Sequence, residues 1–294
     1  YCDNGANKLF SSPEECRGRK CPYYSRCFLQ TARVKSQNSD IVITNHSVYF
    51  SEPSDHPLAL PVHAHVIFDE AHNLEEAATR KFVREITPLG FMLPMRRMYY
   101  KTPKGEHGLI VRLKHLLLSS TVVPETTAQY RDTLFSKLND LTDLFGKLRV
   151  VIPPYLRQLE KLIPQHESSL RILPNMKSLP SWQDAEPLLN KVLDTLYAIT
   201  TSISDIADSV SSEVEQSKKS LEDPLNTSSP LLPLLNLNSA SFDAVCQQFI
   251  SLADEFTQYS STFGNLLADI EFITSVDDKN WVYWIERAGI KTGR

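Results

Sequence analysis

The chain has 294 residues, enough for one large domain or two to three small ones, each able to bury a core. Its 41% hydrophobic and 22% charged residues describe an ordinary soluble protein, and no apolar run approaches the roughly 20 residues needed to span a bilayer, so no membrane contact is expected. The net charge of −4 excludes a uniformly basic nucleic-acid coat, yet residues 1–35 set seven Lys and Arg against three carboxylates and carry +4 on an otherwise acidic chain.

Tyr1-Cys2-Asp3-Asn4-Gly5 has neither an initiator Met nor a signal-peptide pattern, and reads as the interior of a longer protein. Cys2, Cys16, Cys21 and Cys27 follow the pattern C-x13-C-x4-C-x5-C. A disulfide framework belongs to oxidising compartments, to which nothing here points, so metal ligation is the better reading. Structural zinc, with Zn–S bonds of about 2.3 Å, favours tight C-x2-4-C knuckles. An iron–sulfur cube spreads its thiolates further. The spacing leans towards the cluster and leaves zinc open. Arg17, Arg19, Lys20 and Arg26 interleave with these ligands beside Tyr23, Tyr24 and Phe28. The cations are candidates for pairing with the phosphates of a single strand, and the aromatic rings read as packing around the metal.

Asp40-Ile41-Val42-Ile43-Thr44-Asn45 and Ala64 to Phe68 are β-branched or apolar runs, expected to be buried strands of an α/β core. The second ends in Asp69-Glu70-Ala71-His72. In phosphate-loop motors a carboxylate at a strand end holds magnesium through water, and the next acidic residue polarises the water that attacks the γ-phosphate. Asp69 fits the first role and Glu70 the second, with His72 placed to couple the site to a second motor domain or to nucleic acid. No GxxxxGK[ST] phosphate loop occurs in the 294 residues. Asn73 to Val83 reads as a short helix, acidic early and basic late, which complements its dipole.

From Pro88 to about residue 275 no strand is expected. Three segments carry apolar residues alternately three and four apart: Leu134 to Leu148, Leu189 to Val210, and Phe242 to Ile270. Three such helices can bury their stripes on one another, an intramolecular bundle that implies a monomer. Pro153-Pro154, Pro164, Pro174, Pro180 and Pro187 are expected to interrupt helices, as are Pro224, Pro230 and Pro233, with residues 216–240 as a flexible loop. Cys246 falls inside the third pattern and reads as a buried small hydrophobe. Trp281-Val282-Tyr283-Trp284-Ile285 reads as a strand, so the helical region looks like an insertion in the α/β domain.

These residues resemble a known family, the iron–sulfur superfamily 2 DNA helicases that include XPD and bacterial DinG, and are closest to DinG and its paralogue YoaA. The four cysteines, Ser39 to His46 and Val66 to Glu76 carry the resemblance, and Val282 to Glu286 also resembles the segment by which the family's chain returns to the motor. The resemblance implies a mostly helical fragment: an iron–sulfur module over residues 1–38, part of a RecA-like α/β motor domain over 39–86, a helical Arch domain over 87–275, and a return strand into the motor over 276–294. It implies a [4Fe–4S] cluster on Cys2, Cys16, Cys21 and Cys27, catalysis by Asp69, Glu70 and His72 with ATP and Mg2+, and DNA contacts from Arg17, Arg19, Lys20, Arg26, Asn45 and His46. The parent would translocate 5′ to 3′ on single-stranded DNA in repair or replication, with repair or replication proteins as partners. It would act in the cytoplasm on the bacterial nucleoid, or in a nucleus. The fragment alone would be inactive. A non-catalytic zinc- or cluster-bearing nucleic-acid module and a helical protein-binding scaffold are the competing classes.

Overall fold

In a computed structural model, residues 19, 21, 23–51, 60–118, 125–222 and 239–287 are described. The chain divides into two compact units, Tyr1–Glu85 and Ile86–Arg294.

The described residues of the first unit form three short helices: α1 (Phe28–Gln37), α2 (His46–Ser51) and α3 (Leu74–Phe82). The carbonyls left over at the end of α1 are taken up by side chains, Asn38 donating to Val34 O at 2.8 Å and Ser39 to Lys35 O at 2.7 Å. Asn45 Oδ1 accepts from Val48 N at 2.8 Å, which caps the start of α2. Glu75 and Glu76 stand in the first turn of α3, as the charge pattern of residues 73–83 predicts.

The expected buried strands at 40–45 and 64–68 do not form. Neither segment joins a strand ladder among the described residues, and Ile41, Ile43 and Ile67 stand 82%, 94% and 96% exposed. β-branched runs of this kind signal burial on both faces of a sheet, and a strand exists only with a neighbour to share its ladder. Among the described residues of this unit, only Leu60 is a buried hydrophobic side chain.

The second unit is built on helices. It opens with α4 (Pro88–Met98), where Pro88 occupies the first turn and Thr87 Oγ1 accepts from Gly90 N at 3.0 Å. A hairpin of β1 (Tyr100–Thr102) and β2 (Gly105–His107) leads into α5 (Leu109–Leu118). Three long helices follow: α6 (Glu125–Glu160), α7 (Pro180–Glu222) and α8 (Ser239–Ser275). At 1.5 Å per residue the 43 residues of α7 extend about 65 Å.

The three stripes read from the sequence form the core. Leu134, Leu138, Leu141, Phe145 and Leu148 of α6 are buried against Val192, Leu196, Ile199, Ile203, Ile206 and Val210 of α7 and Phe249, Phe256, Phe263 and Ile270 of α8. Directions follow from contacts. Tyr130, early in α6, reaches Ser209, late in α7. Thr200 of α7 meets Ser260 of α8, while Phe145 and Phe263 lie 5.5 Å apart. α7 therefore runs antiparallel to both neighbours. Cys246 is buried in this core, and burial pushes its thiol pKa up.

Four expectations for this region need correction. Pro153 and Pro154 lie within α6, and Pro187 within α7, rather than ending helices. Each proline removes one backbone bond, but buried Ile152 and Tyr155 anchor α6 on both sides of the pair, so packing outweighs the local loss. α7 continues to Glu222, into the expected loop; residues 223–238, with Pro224, Pro230 and Pro233, lie outside the described residues. Strands do occur here, in the β1–β2 hairpin and in β3 (Ser169–Ile172), each too short for a legible alternation. The closing strand β4 (Tyr283–Glu286) forms where the sequence places one, but it pairs antiparallel with β3, Ile172 opposite Tyr283 and Ser169 opposite Glu286.

This second sheet belongs to the helical unit. Ile172, Val276 and Tyr283 make a small core with Trp182, Phe272 and Trp281. Arg287 fastens the end of β4 to the end of α6, donating to Ile163 O at 3.1 Å. Val276 is buried at φ +49°, a strained conformation for a β-branched residue, at the point where the chain leaves α8 for the turn before β4. No helix among the described residues is long and apolar enough to cross a membrane.

Candidate active site and cysteine module

Phe68 organises the candidate site. Its ring stacks on Phe50 at 6.3 Å, meets Tyr49 edge-on at 5.3 Å, and lies 5.9 Å from His46. Tyr49 also contacts His63 at 5.8 Å. These contacts fix α2, and with it Asn45 and His46, against the segment that delivers Asp69 and Glu70. The structure thus places His46 beside Phe68, the residue before Asp69, and pairs Glu70 with His72.

At the acidic pair the backbone turns sharply. Glu70 takes the left-handed conformation, φ +50° and ψ +50°, which is uncommon without glycine and costs on the order of 1 kcal/mol. Asp69 Oδ1 accepts from Glu70 N at 2.9 Å, and Asn73 N donates to Glu70 O at 2.9 Å. This turn ends the extended run and starts the 3-10 turn Ala71–Asn73 that enters α3. The Glu70 carboxylate meets His72 Nδ1 at 3.1 Å; both side chains are exposed, so the pair orients the groups more than it stabilises the fold. Two exposed carboxylates presented at the end of an extended segment can hold a hydrated divalent cation and accept a proton from water.

The cysteine module is described in part. Cys21 and Cys27 flank the 3-10 turn Tyr24–Arg26, with Tyr24 N donating to Cys21 O at 3.0 Å and Arg26 N to Tyr23 O at 3.0 Å. Cys27 caps the N-terminus of α1, its carbonyl accepting from Thr31 N at 2.9 Å. Both side chains are half-buried. This soft donor set suits an iron–sulfur cluster or zinc. Cys2 and Cys16, with Arg17 and Lys20, lie outside the described residues. Among the described residues no group of three or more possible metal ligands gathers.

Arg19 and Arg26 are exposed on this module. Arg19 joins Tyr24, Gln30, Arg33, Gln37 and Asn38 around an open groove of about 550 Å³. Arg33 Nε is shielded from solvent there without a hydrogen-bond partner. The sequence reading did not single out Gln30, Arg33 or Gln37 for this surface, although their spacing of three and four along α1 places them on one helix face. It also missed the aromatic cluster around Phe68, which is a tertiary contact without a local pattern.

Residues 7–88 match the family described as DEAD_2. A protein named ATP-dependent DNA helicase YoaA, from Haemophilus influenzae, is 37% identical over 84 residues, 27% of this chain and 13% of that protein. ATP-dependent helicase DinG of Mycobacterium tuberculosis is 31% identical over 97 residues, 33% of this chain and 15% of its own length. The protein named 3′-5′ exonuclease DinG, from Bacillus subtilis, is 33% identical over 89 residues, 30% of this chain and 9% of that protein. The matches therefore span about a seventh or less of these relatives, and the DEAD_2 match covers Cys16, Cys21, Cys27, Asp69 and Glu70. No solved structure matches. Part of this chain is thus similar to the DEAD_2 family and to proteins named as YoaA and DinG helicases.

Proposed function

We propose that the chain is the part of an ATP-dependent DNA helicase that carries one half of the nucleotide site and a metal-bearing, strand-gripping module. The observation that carries this reading is the Asp69-Glu70 turn, next to Phe68 and its contact with His46, within the residues 7–88 that match the DEAD_2 family.

In the proposed reaction Asp69 accepts the water shell of Mg2+, and Glu70 takes a proton from the water that attacks the γ-phosphate. Magnesium would neutralise charge on the phosphates. His72, bonded to Glu70, relays the state of that carboxylate towards the DNA-bound part of the enzyme. Asn45 and His46 contact the strand from the same aromatic platform. A phosphate-binding lysine and a second motor domain complete the site from outside these 294 residues, and the chain by itself hydrolyses no ATP. The exposed apolar runs at 40–45 and 64–68 take their place as strands when that motor domain is whole.

Residues 1–38 form the metal module in this reading. Cys2, Cys16, Cys21 and Cys27 hold a [4Fe–4S] cluster, which supplies a rigid cross-link for a segment whose described residues include no buried side chain. Arg17, Arg19, Lys20 and Arg26 then face the phosphates of a single DNA strand, with 5′ to 3′ translocation on it. Residues 39–86 belong to the motor, and 87–275 form the Arch. The enzyme acts as a monomer in DNA repair or replication, in the cytoplasm or nucleus.

The test is Glu70→Gln in a longer protein that contains this chain. ATP binding should persist while DNA-stimulated hydrolysis falls by roughly 10²–10⁴-fold, the usual loss on removing a general base. Unchanged hydrolysis would refute the assignment.

A further inference from the structure

Phe68 is the last apolar side chain before the acidic pair, and three rings from one turn of α2 grip it. His46, Tyr49 and Phe50 stand at i, i+3 and i+4, which puts them on one face of that helix. Phe50 stacks on the Phe68 ring within 6° of parallel, and Tyr49 meets it edge-on at 87°, the two arrangements that aromatic pairs prefer. Tyr49 is itself flanked by Phe50 at 5.4 Å and His63 at 5.8 Å. Along residues 66–70 Phe68 alone is half-buried and its neighbours are exposed, so this side chain is the one that ties the stretch down.

α2 also packs on α3, which starts four residues after Glu70. One short helix therefore braces the acidic turn at its entry, through Phe68, and at its exit, through α3.

The turn needs a brace. Glu70 sits at φ +50° and ψ +50°, a conformation that a residue other than glycine keeps only where its surroundings impose it. Two local hydrogen bonds shape the turn, Glu70 N to Asp69 Oδ1 and Asn73 N to Glu70 O, both 2.9 Å. Both lie on an exposed segment, where water competes for the same groups. Packing at Phe68 and α3 supplies a constraint that water cannot replace. A right-handed backbone at Glu70 would redirect both its carboxylate and the entry to α3.

We propose that Tyr49 and Phe50 are positioning residues for the acidic pair: their grip on Phe68 keeps Glu70 in the left-handed turn from which its carboxylate meets the attacking water. α2 thereby sets the rate of hydrolysis and leaves nucleotide affinity unchanged. The inference rests on the proposed role of Glu70 as general base. Tyr49 meets Phe68 through its ring, so phenylalanine should serve in its place.

The experiment is ATP hydrolysis by a longer protein that contains this chain. Tyr49→Leu and Phe50→Leu should each lower kcat about tenfold to a hundredfold, the loss that follows a small misplacement of a reacting group, with KM for ATP within about twofold of the unaltered protein. Tyr49→Phe should restore most of kcat. In a Glu70→Gln background, read from single turnovers, Tyr49→Leu should slow the reaction no further, because a residue that acts through Glu70 has nothing left to position. In this chain alone, the Glu70 and Asn73 amide signals in 1H–15N spectra should shift on Tyr49→Leu and stay in place on Phe82→Leu, which alters an exposed ring at the end of α3. Phe50→Leu decides the matter if Tyr49→Leu loses its affinity for ATP. Unchanged kcat in both leucine variants, a raised KM with unchanged kcat, an equal further loss in the Glu70→Gln background, or equal effects from Phe82→Leu would each overturn the proposal. Unchanged hydrolysis on Glu70→Gln alone would remove the proposed function and this inference together. Loss on Glu70→Gln with full turnover in Tyr49→Leu and Phe50→Leu would remove the positioning role only.

Discussion

The two units of this chain divide the labour of stability and chemistry almost completely. The helical unit holds nearly all the buried hydrophobic side chains among the described residues, and its three long helices close on one another. The amino-terminal unit carries the acidic pair, Cys21 and Cys27, and nearly all of the family match, yet among its described residues it buries one hydrophobic side chain and leaves Ile41, Ile43 and Ile67 in water. A motif needs only a few side chains in fixed order, whereas a core needs volume. A segment can therefore be rich in the first while depending on neighbours or a metal for the second.

The sharpest way to break this comparison is to truncate matched apolar residues in each unit. Phe256→Ala removes a fully buried ring from the helical core and should cost about 3–5 kcal/mol. Ile67→Ala removes a side chain already in water and should change stability by no more than about 0.5 kcal/mol in this chain. Urea unfolding followed by helical circular dichroism reads both, and similar losses would mean that the first unit has a core of its own.

A second probe is alkaline titration. Burial raises the Tyr130 phenol to about 12 from an ordinary value near 10, and burial raises Tyr155 as well. A folded-state pKa above the unfolded one gives stability that is complete below the lower value and is lost as pH rises towards the higher. Helical signal should therefore hold to pH of about 10 and fall between about 10 and about 12, with phenolate absorbance rising over the same interval. Phenolate formation near pH 10 with helices intact would contradict that burial.

Helix caps give a smaller contrast. Thr87→Ala and Asn45→Ala each delete a side-chain acceptor at a helix start, at 3.0 and 2.8 Å. Thr87→Ala should cost about 1 kcal/mol of the helical unit's stability. Asn45→Ala should leave that transition unmoved and appear only as faster amide exchange in α2. The smallest expected effect is at the forked Arg112–Glu255 pair, 2.6 and 3.0 Å, where Glu255→Gln should cost about 0.5 kcal/mol and less in high salt.

What the sequence made legible follows the same division. Leu134 to Leu148 and Leu189 to Val210 read as helical stripes because every third or fourth residue is apolar, and every one of those stripe positions except the half-buried Leu189 is buried. The runs at 40–45 and 64–68 are equally clear as patterns, but a pattern reports the burial a segment is suited for and not whether its partner strands are at hand. Pro153-Pro154 misleads because local propensity is outweighed by packing on both sides. The β1–β2 hairpin goes unread because three residues carry no alternation, although Pro103-Lys104-Gly105 is a turn signal. In the site, Asp69, Glu70 and His72 are legible as a motif. The platform of Phe68, Tyr49 and Phe50 is not, since it joins segments about 20 residues apart.

The central claim is that the amino-terminal unit, poor in core, is organised by a cluster on its cysteines. The direct test is iron, zinc and acid-labile sulfide analysis of anaerobically purified protein beside its Cys21→Ser and Cys246→Ser variants. The account predicts about four irons and four sulfides per chain, lost on Cys21→Ser and retained on Cys246→Ser. A colourless protein that holds one zinc and no sulfide would contradict it.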